Sequence, residues 1–187
     1  HRDALFKLKK SGKTIVGYVG GHGVSNGLDM LIDAAARTSD FSKIQLVLVG
    51  KGPEKARLEE TTKRLNLSNI PVLKKAVPAL LKQMDILVCT VKETPLYQYG
   101  MSLNKIFDYM MAGKPVLWSA NVSNDLVADS HCGFTVPCGD ITSFCNKLYE
   151  MSNMQKELLD AMGIRGKEYI LKQYTYPKLA RKFIDAL

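Results

Sequence analysis

The chain has 187 residues, 46% of them hydrophobic and 24% charged, and a formal net charge of +8. That balance suits one globular domain with a substantial core and excludes a disordered chain. The longest apolar runs, IQLVLV (44–49) and ILVCTV (86–91), are strand-length and fall short of the ~20 residues that a membrane-spanning helix needs.

The opening HRDALFKLKK has no Met and no small-residue cleavage site after it, so no signal peptide is expected. Residues 1–12 read as a linker or the end of a preceding helix. Arg2, Lys7, Lys9, Lys10 and Lys13 concentrate positive charge here, whereas cations and acids are mixed elsewhere. A mild preference for anions follows, without a nucleic-acid motif or partner. TIVGYVG (14–20) reads as a strand ending in glycine, and GLDMLIDAAA (27–36) sets Leu28, Leu31, Ile32 and Ala35 at helical spacing. IQLVLVG (44–50) repeats the pattern, passing through KGP (51–53) into a charged helix, EKARLEETTKRL (54–65). A short strand around Val72, a helical turn after Pro78 and the strand DILVCTV (85–91) come next. Beyond the loop 92–101 a helix runs to Gly113. The strand PVLWS (115–119), a helix at 123–130, the strand GFTVP (133–137) and amphipathic helices over 141–187 complete the chain.

Strands of Val, Ile and Leu without polar alternation are covered on both faces. Alternating with helices, they predict an α/β fold: a doubly wound, Rossmann-like parallel sheet with helices on both faces, in one domain over 1–187. Ligands of such sheets bind beyond the carboxyl ends of the strands, so the loops 20–27, 50–53, 74–77 and 92–104 should share one rim. Cys89, Cys132, Cys138 and Cys145 lie in or beside apolar segments without C-x-x-C spacing. They read as reduced core thiols in a cytoplasmic protein, with no metal site.

Two stretches on the rim carry polar chemistry. In GGHGVSNG (20–27) the glycines either relieve backbone crowding in a tight turn or, with the helix N-terminus, cradle a phosphate. The dinucleotide fingerprint is only partly met, because Asn26 stands where a third glycine belongs. The second strand also ends in Gly50-Lys51-Gly52, without the acid that would hold a ribose. His22 reads as an exposed loop residue that either donates to a phosphate or sugar hydroxyl or is merely solvated, and His131 as structural. In YGMSLNKIFDYMMAGKPV (99–116), Ser102 fits a helix N-cap, which makes Lys105 the N3 residue, where the macrodipole disfavours a cation. Asn104 and Asp108 share a face by their spacing of four. Lys105 and Asp108 either pair on a solvated face or divide the work, with Lys105 meeting phosphate and Asp108 accepting from hydroxyls.

Four segments together carry a resemblance. YVGGHGVSNGLDMLIDAA, LVLVGKGPEKARL, VPALLKQMDILVCT, and YGMSLNKIFDYMMAGKPVL with NDLVADSHCGFTVPCGD resemble the C-terminal, donor-binding half of family four of the glycosyltransferases, which have the GT-B fold. The last pair resembles the subset that includes bacterial transferases building surface polysaccharides. The resemblance implies a retaining transferase moving a sugar from a nucleotide diphosphate donor, UDP above all, to a saccharide or lipid-linked acceptor. It implies no metal or other cofactor. Lys105 and Asp108 become the catalytic candidates, with Asp108 matching the second acid of the family's E-x7-E motif, which commonly holds the ribose. Gly20, Gly21, His22, Gly23 and Asn26 match the loop facing the diphosphate, Lys51 and the backbone at Val77 lie toward the base, and Ser102 and Asn104 flank the donor. Gly100 stands where the first acid is usual, Leu103 where Pro is usual, and Gly21 and Asn26 where many members carry a basic pair. The acceptor-side N-terminal half of such an enzyme, expected as a partner, is outside this sequence, and related enzymes associate peripherally with the inner membrane face. Other readings are half of a sugar-nucleotide epimerase and a non-enzymatic module binding anions or nucleic acid.

Overall fold

The run Thr14–Val19 forms strand β1, and from Ile15 to Val19 every residue is buried, because helices cover both of its faces. The computed structural model describes residues 12–37, 43–64, 72–73 and 77–186. The basic residues Arg2, Lys7, Lys9 and Lys10, most of the expected linker, and rim residues 74–76 lie outside them. The elements in chain order are β1, a 3-10 turn at Val24–Asn26, α1 (Asp29–Arg37), β2 (Ile44–Val49), α2 (Lys55–Arg64), β3 (Val72–Leu73), α3 (Val77–Leu81) and β4 (Ile86–Thr90). A 3-10 turn at Pro95–Tyr99 leads to α4 (Asn104–Met111), β5 (Val116–Ser119), α5 (Leu126–Asp129), β6 (Gly133–Val136), α6 (Ile141–Ser152), α7 (Lys156–Gln173) and α8 (Tyr176–Ile184).

The strands pair in parallel in the order β3-β2-β1-β4-β5-β6. This is the doubly wound α/β sheet that the apolar runs predict. Strand alternation divides the core in two. Ile15, Val19, Val47, Leu87, Cys89 and Trp118 face α3, α4, α5 and α7 through Leu81, Ile106, Tyr109, Met110, Val127 and Ile170. Val16, Tyr18, Leu46, Leu48, Ile86 and Leu117 face α1, α2, α6 and the start of α7 through Leu31, Ile32, Leu58, Phe144, Leu148 and Leu159.

Some boundaries differ from the sequence reading. The helix expected from 123 is short, Leu126–Asp129, because Asp125 caps it, accepting from the Val127 and Ala128 amides at 3.1 and 3.0 Å. The first helix starts at Asp29 and not at Gly27, whose φ of +58° ends the preceding 3-10 turn. The order reverses between β1 and β4, and the chain leaves both strands there in opposite directions across the sheet. That opens a crevice at their carboxyl ends.

Candidate functional site

Of the loops expected on one rim, those at 20–27, 50–53 and 92–104 are hydrogen-bonded to one another. Gly20 N–H donates to the Val49 carbonyl at 2.9 Å, extending the β1–β2 ladder, and His22 N–H to the Lys51 carbonyl at 2.8 Å. The Glu54 amide closes back on the His22 carbonyl at 3.0 Å. The two loops lie so close that a Cβ on Gly50 would sit 1.8 Å from the Gly20 oxygen. Across the crevice, Lys92 N–H donates to Ser25 O at 2.9 Å and the Thr90 hydroxyl to Asn26 O at 2.7 Å. The loop after β4 is tied in turn to the loop after β5, where Asn124 accepts from Met101 N–H at 2.8 Å and donates to Met101 O at 3.0 Å.

Helix α4 sends Lys105 into this rim. Its ammonium donates to the Tyr18 hydroxyl at 2.9 Å and to the Asn26 side-chain oxygen, and lies 4.8 Å from the centre of the Tyr18 ring. Asn26 and Tyr18 both donate to the Gly21 carbonyl, at 2.9 and 2.7 Å. No carboxylate among the described residues pairs with Lys105. Burial holds its pKa below the usual lysine range, opposed by nearby Cys89, whose thiol burial pushes up to about 12. A half-buried cation with neutral partners leaves its charge uncompensated. In the same glycine loop, the N–H groups of Gly21 and Gly23 meet no acceptor among the described residues.

Asp108 goes elsewhere. It is exposed, forms no ion pair with Lys105, and lines a cavity of about 200 Å³ with Val77, Pro78, Lys82, Met111 and Ala112. The structure thus brings Lys105, Asn26, Gly20 and Gly21 to one point, and Asp108 and Val77 to a second. Asn104, Ser102 and Lys51 are exposed on the rim without side-chain hydrogen bonds to described residues.

Three expectations are corrected. Ser102 does not cap α4: Leu103 is the N-cap, so Lys105 is the second helical residue and no side chain caps the first-turn amides, of which that of Ile106 donates to the Leu103 carbonyl at 3.0 Å. His22 is not exposed. Its imidazole is fully buried, 6.2 Å from the Tyr18 ring between ring centres, and neither ring nitrogen has a partner. Burial, and then the Lys55 and Lys105 charges, lower its pKa. Helix α1 does not open directly on the glycine loop either: the 3-10 turn intervenes, and its Met30 and Leu31 amides already donate to the Gly27 and Leu28 carbonyls, both at 3.1 Å. What the sequence reading missed is Tyr18, together with Tyr109 and Asn124. A tyrosine two residues before the loop, in an otherwise apolar central strand, signals a buried hydroxyl in need of partners.

Gly100 adopts φ +101° and ψ 160°, a region almost confined to glycine. The position that lacks the expected acid is therefore built for a residue without a Cβ. His131, at φ +52°, follows the end of α5, and its carbonyl accepts from Arg165 at 2.9 Å. The cysteines are free, three of them buried and Cys138 half-buried. No described helix is long and apolar enough to cross a membrane.

In sequence, residues 13–153 match the family described as glycosyl transferases group 1. No curated protein matches. Solved structures share the fold. A TarM mutant of S. aureus, in complex with fondaparinux, alpha-GlcNAc-glycerol and UDP, superposes with a TM-score of 0.80 at 17% identity, over 93% of this chain and 35% of that one. HepE of Anabaena, in complex with UDP-glucose, gives 0.78 at 18% identity, over 100% of this chain and 52% of that one. The C-terminal domain of LpcC, a glycosyl transferase group 1 family protein of Francisella tularensis, gives 0.68 at 21% identity, over 94% of both chains. This chain therefore spans between about a third and a half of TarM and HepE, and nearly all of the LpcC domain.

Proposed function

The chain belongs to the glycosyl transferases group 1, and from that premise we propose that it is the donor-binding half of a transferase that moves a sugar from a nucleoside diphosphate to a saccharide or lipid-linked acceptor. UDP is the proposed nucleotide, supported by the UDP and UDP-glucose carried by TarM and HepE. Retention of configuration and a role in polysaccharide synthesis rest on the family resemblance. Acceptor binding and turnover belong to the whole two-domain enzyme, whose other half is this chain's partner. Peripheral membrane association is proposed for that whole enzyme.

One observation carries the reading: α4 divides its charged residues between two places that one nucleotide would span. Lys105 meets the glycine loop at the crevice, where its uncompensated charge and the Gly21 and Gly23 amides suit a diphosphate. Asp108 lies by the cavity under Val77, where it can accept from ribose hydroxyls while the backbone at Val77 meets the base. When the glycosidic bond breaks, negative charge grows on the leaving diphosphate. An ammonium and amides fixed in advance stabilise that charge without reorganising, and this mode of catalysis requires no metal.

Calorimetric titration of UDP, GDP, ADP and NAD into this chain tests the proposal. Micromolar binding of one diphosphate, weakened by Lys105→Ala and by Asp108→Asn, is expected. Unchanged affinity in both variants removes them from the site, and salt-sensitive DNA binding without any response to nucleotide overturns the reading. Robust sugar transfer by this chain alone contradicts its assignment as a half-enzyme.

A further inference from the structure

Tyr18 is fully buried at the carboxyl end of β1, yet its hydroxyl is the meeting point of the rim. Its single proton is committed to the Gly21 carbonyl at 2.7 Å, so its oxygen turns only lone pairs outward, and one of them accepts from the Lys105 ammonium at 2.9 Å. The same ammonium lies 4.8 Å from the centre of the Tyr18 ring. Gly20 leaves the room this requires: a Cβ there would come within 3.0 Å of the Tyr18 oxygen and 3.4 Å of the Lys105 side chain. Lys105 is a long, flexible side chain that is costly to order, and no carboxylate among the described residues holds it.

We propose that Tyr18 is a positioning residue of the nucleotide site, its hydroxyl fixing the Lys105 ammonium beside the Gly21 loop so that cation and loop amides meet one diphosphate together. This rests on the reading of Lys105 as phosphate-facing. Tyr18 touches no substrate. It acts by holding a cation and a loop in register, and a neutral acceptor does this without cancelling the charge, as a carboxylate would. Asn26, which also accepts from Lys105 and donates to Gly21, sits nearer the surface and is the partner an incoming phosphate replaces.

The test is a double-mutant cycle read by calorimetry with UDP, GDP and ADP in parallel. Tyr18→Phe keeps the ring and its volume and removes only the hydroxyl. About tenfold weaker binding is expected of it alone, the size of losing one hydrogen bond to a charged group, and no further loss when Lys105 is already Met. Tyr18→Phe should also move the alkaline fall in affinity to lower pH, because the hydroxyl favours the charged lysine. The other titratable groups facing Lys105 are Cys89 from β4 and His22 from the loop, and both remain in every variant. Unchanged affinity in Tyr18→Phe, or an equal loss with and without Lys105, overturns the role of Tyr18. Unchanged affinity in Lys105→Met overturns the underlying reading instead. Should Tyr18→Phe not fold, NMR of the wild-type chain decides: the Tyr18 hydroxyl proton should keep its cross-peak to the Lys105 ε-methylene when UDP binds, and its loss refutes the proposal.

Discussion

Tyr109 and Val19 are joined twice, the Tyr109 hydroxyl accepting from the Val19 amide at 2.8 Å and donating to the Val19 carbonyl at 2.9 Å. The β1–β4 pairing covers Val16 and Gly17 and then stops. Val19 would be left with buried, unpaired backbone groups where the two strands part, and the tyrosine of α4 substitutes for the missing strand. Tyr109→Phe is therefore expected to lose about 2–3 kcal/mol of stability by leaving two buried groups unsatisfied. Urea unfolding measures it, and a loss under about 0.5 kcal/mol would show that the pairing is not needed.

If α4 serves two subsites, as proposed, its two charges should be separable by ligand. Lys105→Met is expected to weaken inorganic pyrophosphate and UDP by similar factors, roughly tenfold, whereas Asp108→Asn should weaken UDP by about that much and leave pyrophosphate within twofold. Competition calorimetry gives both. Equal effects of Asp108→Asn on the two ligands would place that carboxylate at the phosphate.

Restoring an acid at Gly100 should not help. With φ at +101°, any side chain is strained by about 1–3 kcal/mol, and a Cβ would meet the Asn124 oxygen at 3.2 Å. Gly100→Glu is expected to lower the melting temperature without tightening UDP. Tighter binding with unchanged melting would show that the loop accepts the acid.

With Lys105 at the diphosphate, as proposed, binding and folding should respond oppositely to alkali. Diphosphate prefers the ammonium, so affinity falls as pH rises through the lowered Lys105 pKa, beginning below the ordinary value of about 10.4. The unfolded lysine keeps its proton to higher pH. Between the two pKa values the unfolded chain therefore binds more protons, and this residue's contribution to stability rises with pH. UDP titrations and urea midpoints between pH 7 and 10, compared with Lys105→Met, separate the two. Identical pH profiles in both proteins would remove Lys105 from the effect.

His22 governs the acid side. Its folded pKa is lowered by burial and by Lys55, so as pH falls through about 6.5 the unfolded histidine takes up a proton that the folded one resists, and stability drops. His22→Phe keeps an aromatic ring, removes two unpartnered nitrogens and should flatten this acid loss. Urea midpoints from pH 7 to 5 check it, and a variant as acid-sensitive as wild type would place the loss elsewhere.

The alternation of strands and helices was legible in the sequence, because unbroken runs such as IQLVLV are stable only where both faces are covered, and helical spacing marks what covers them. The order of the rim loops followed from the same pattern, whereas the missing acid at Gly100 showed only against the motif of the family the chain resembles. Position on a helix, however, relates residues only to their own axis. Lys105 and Asp108, three apart, read by spacing alone as a mutual pair, and only packing decided that one reaches Tyr18, 87 residues away, while the other turns to α3. His22 looked exposed because loops usually are. Its burial comes from two glycines in the loop after β2, which let one backbone press against another. Such contacts arise from the sheet order, and no local spacing in the sequence encodes them.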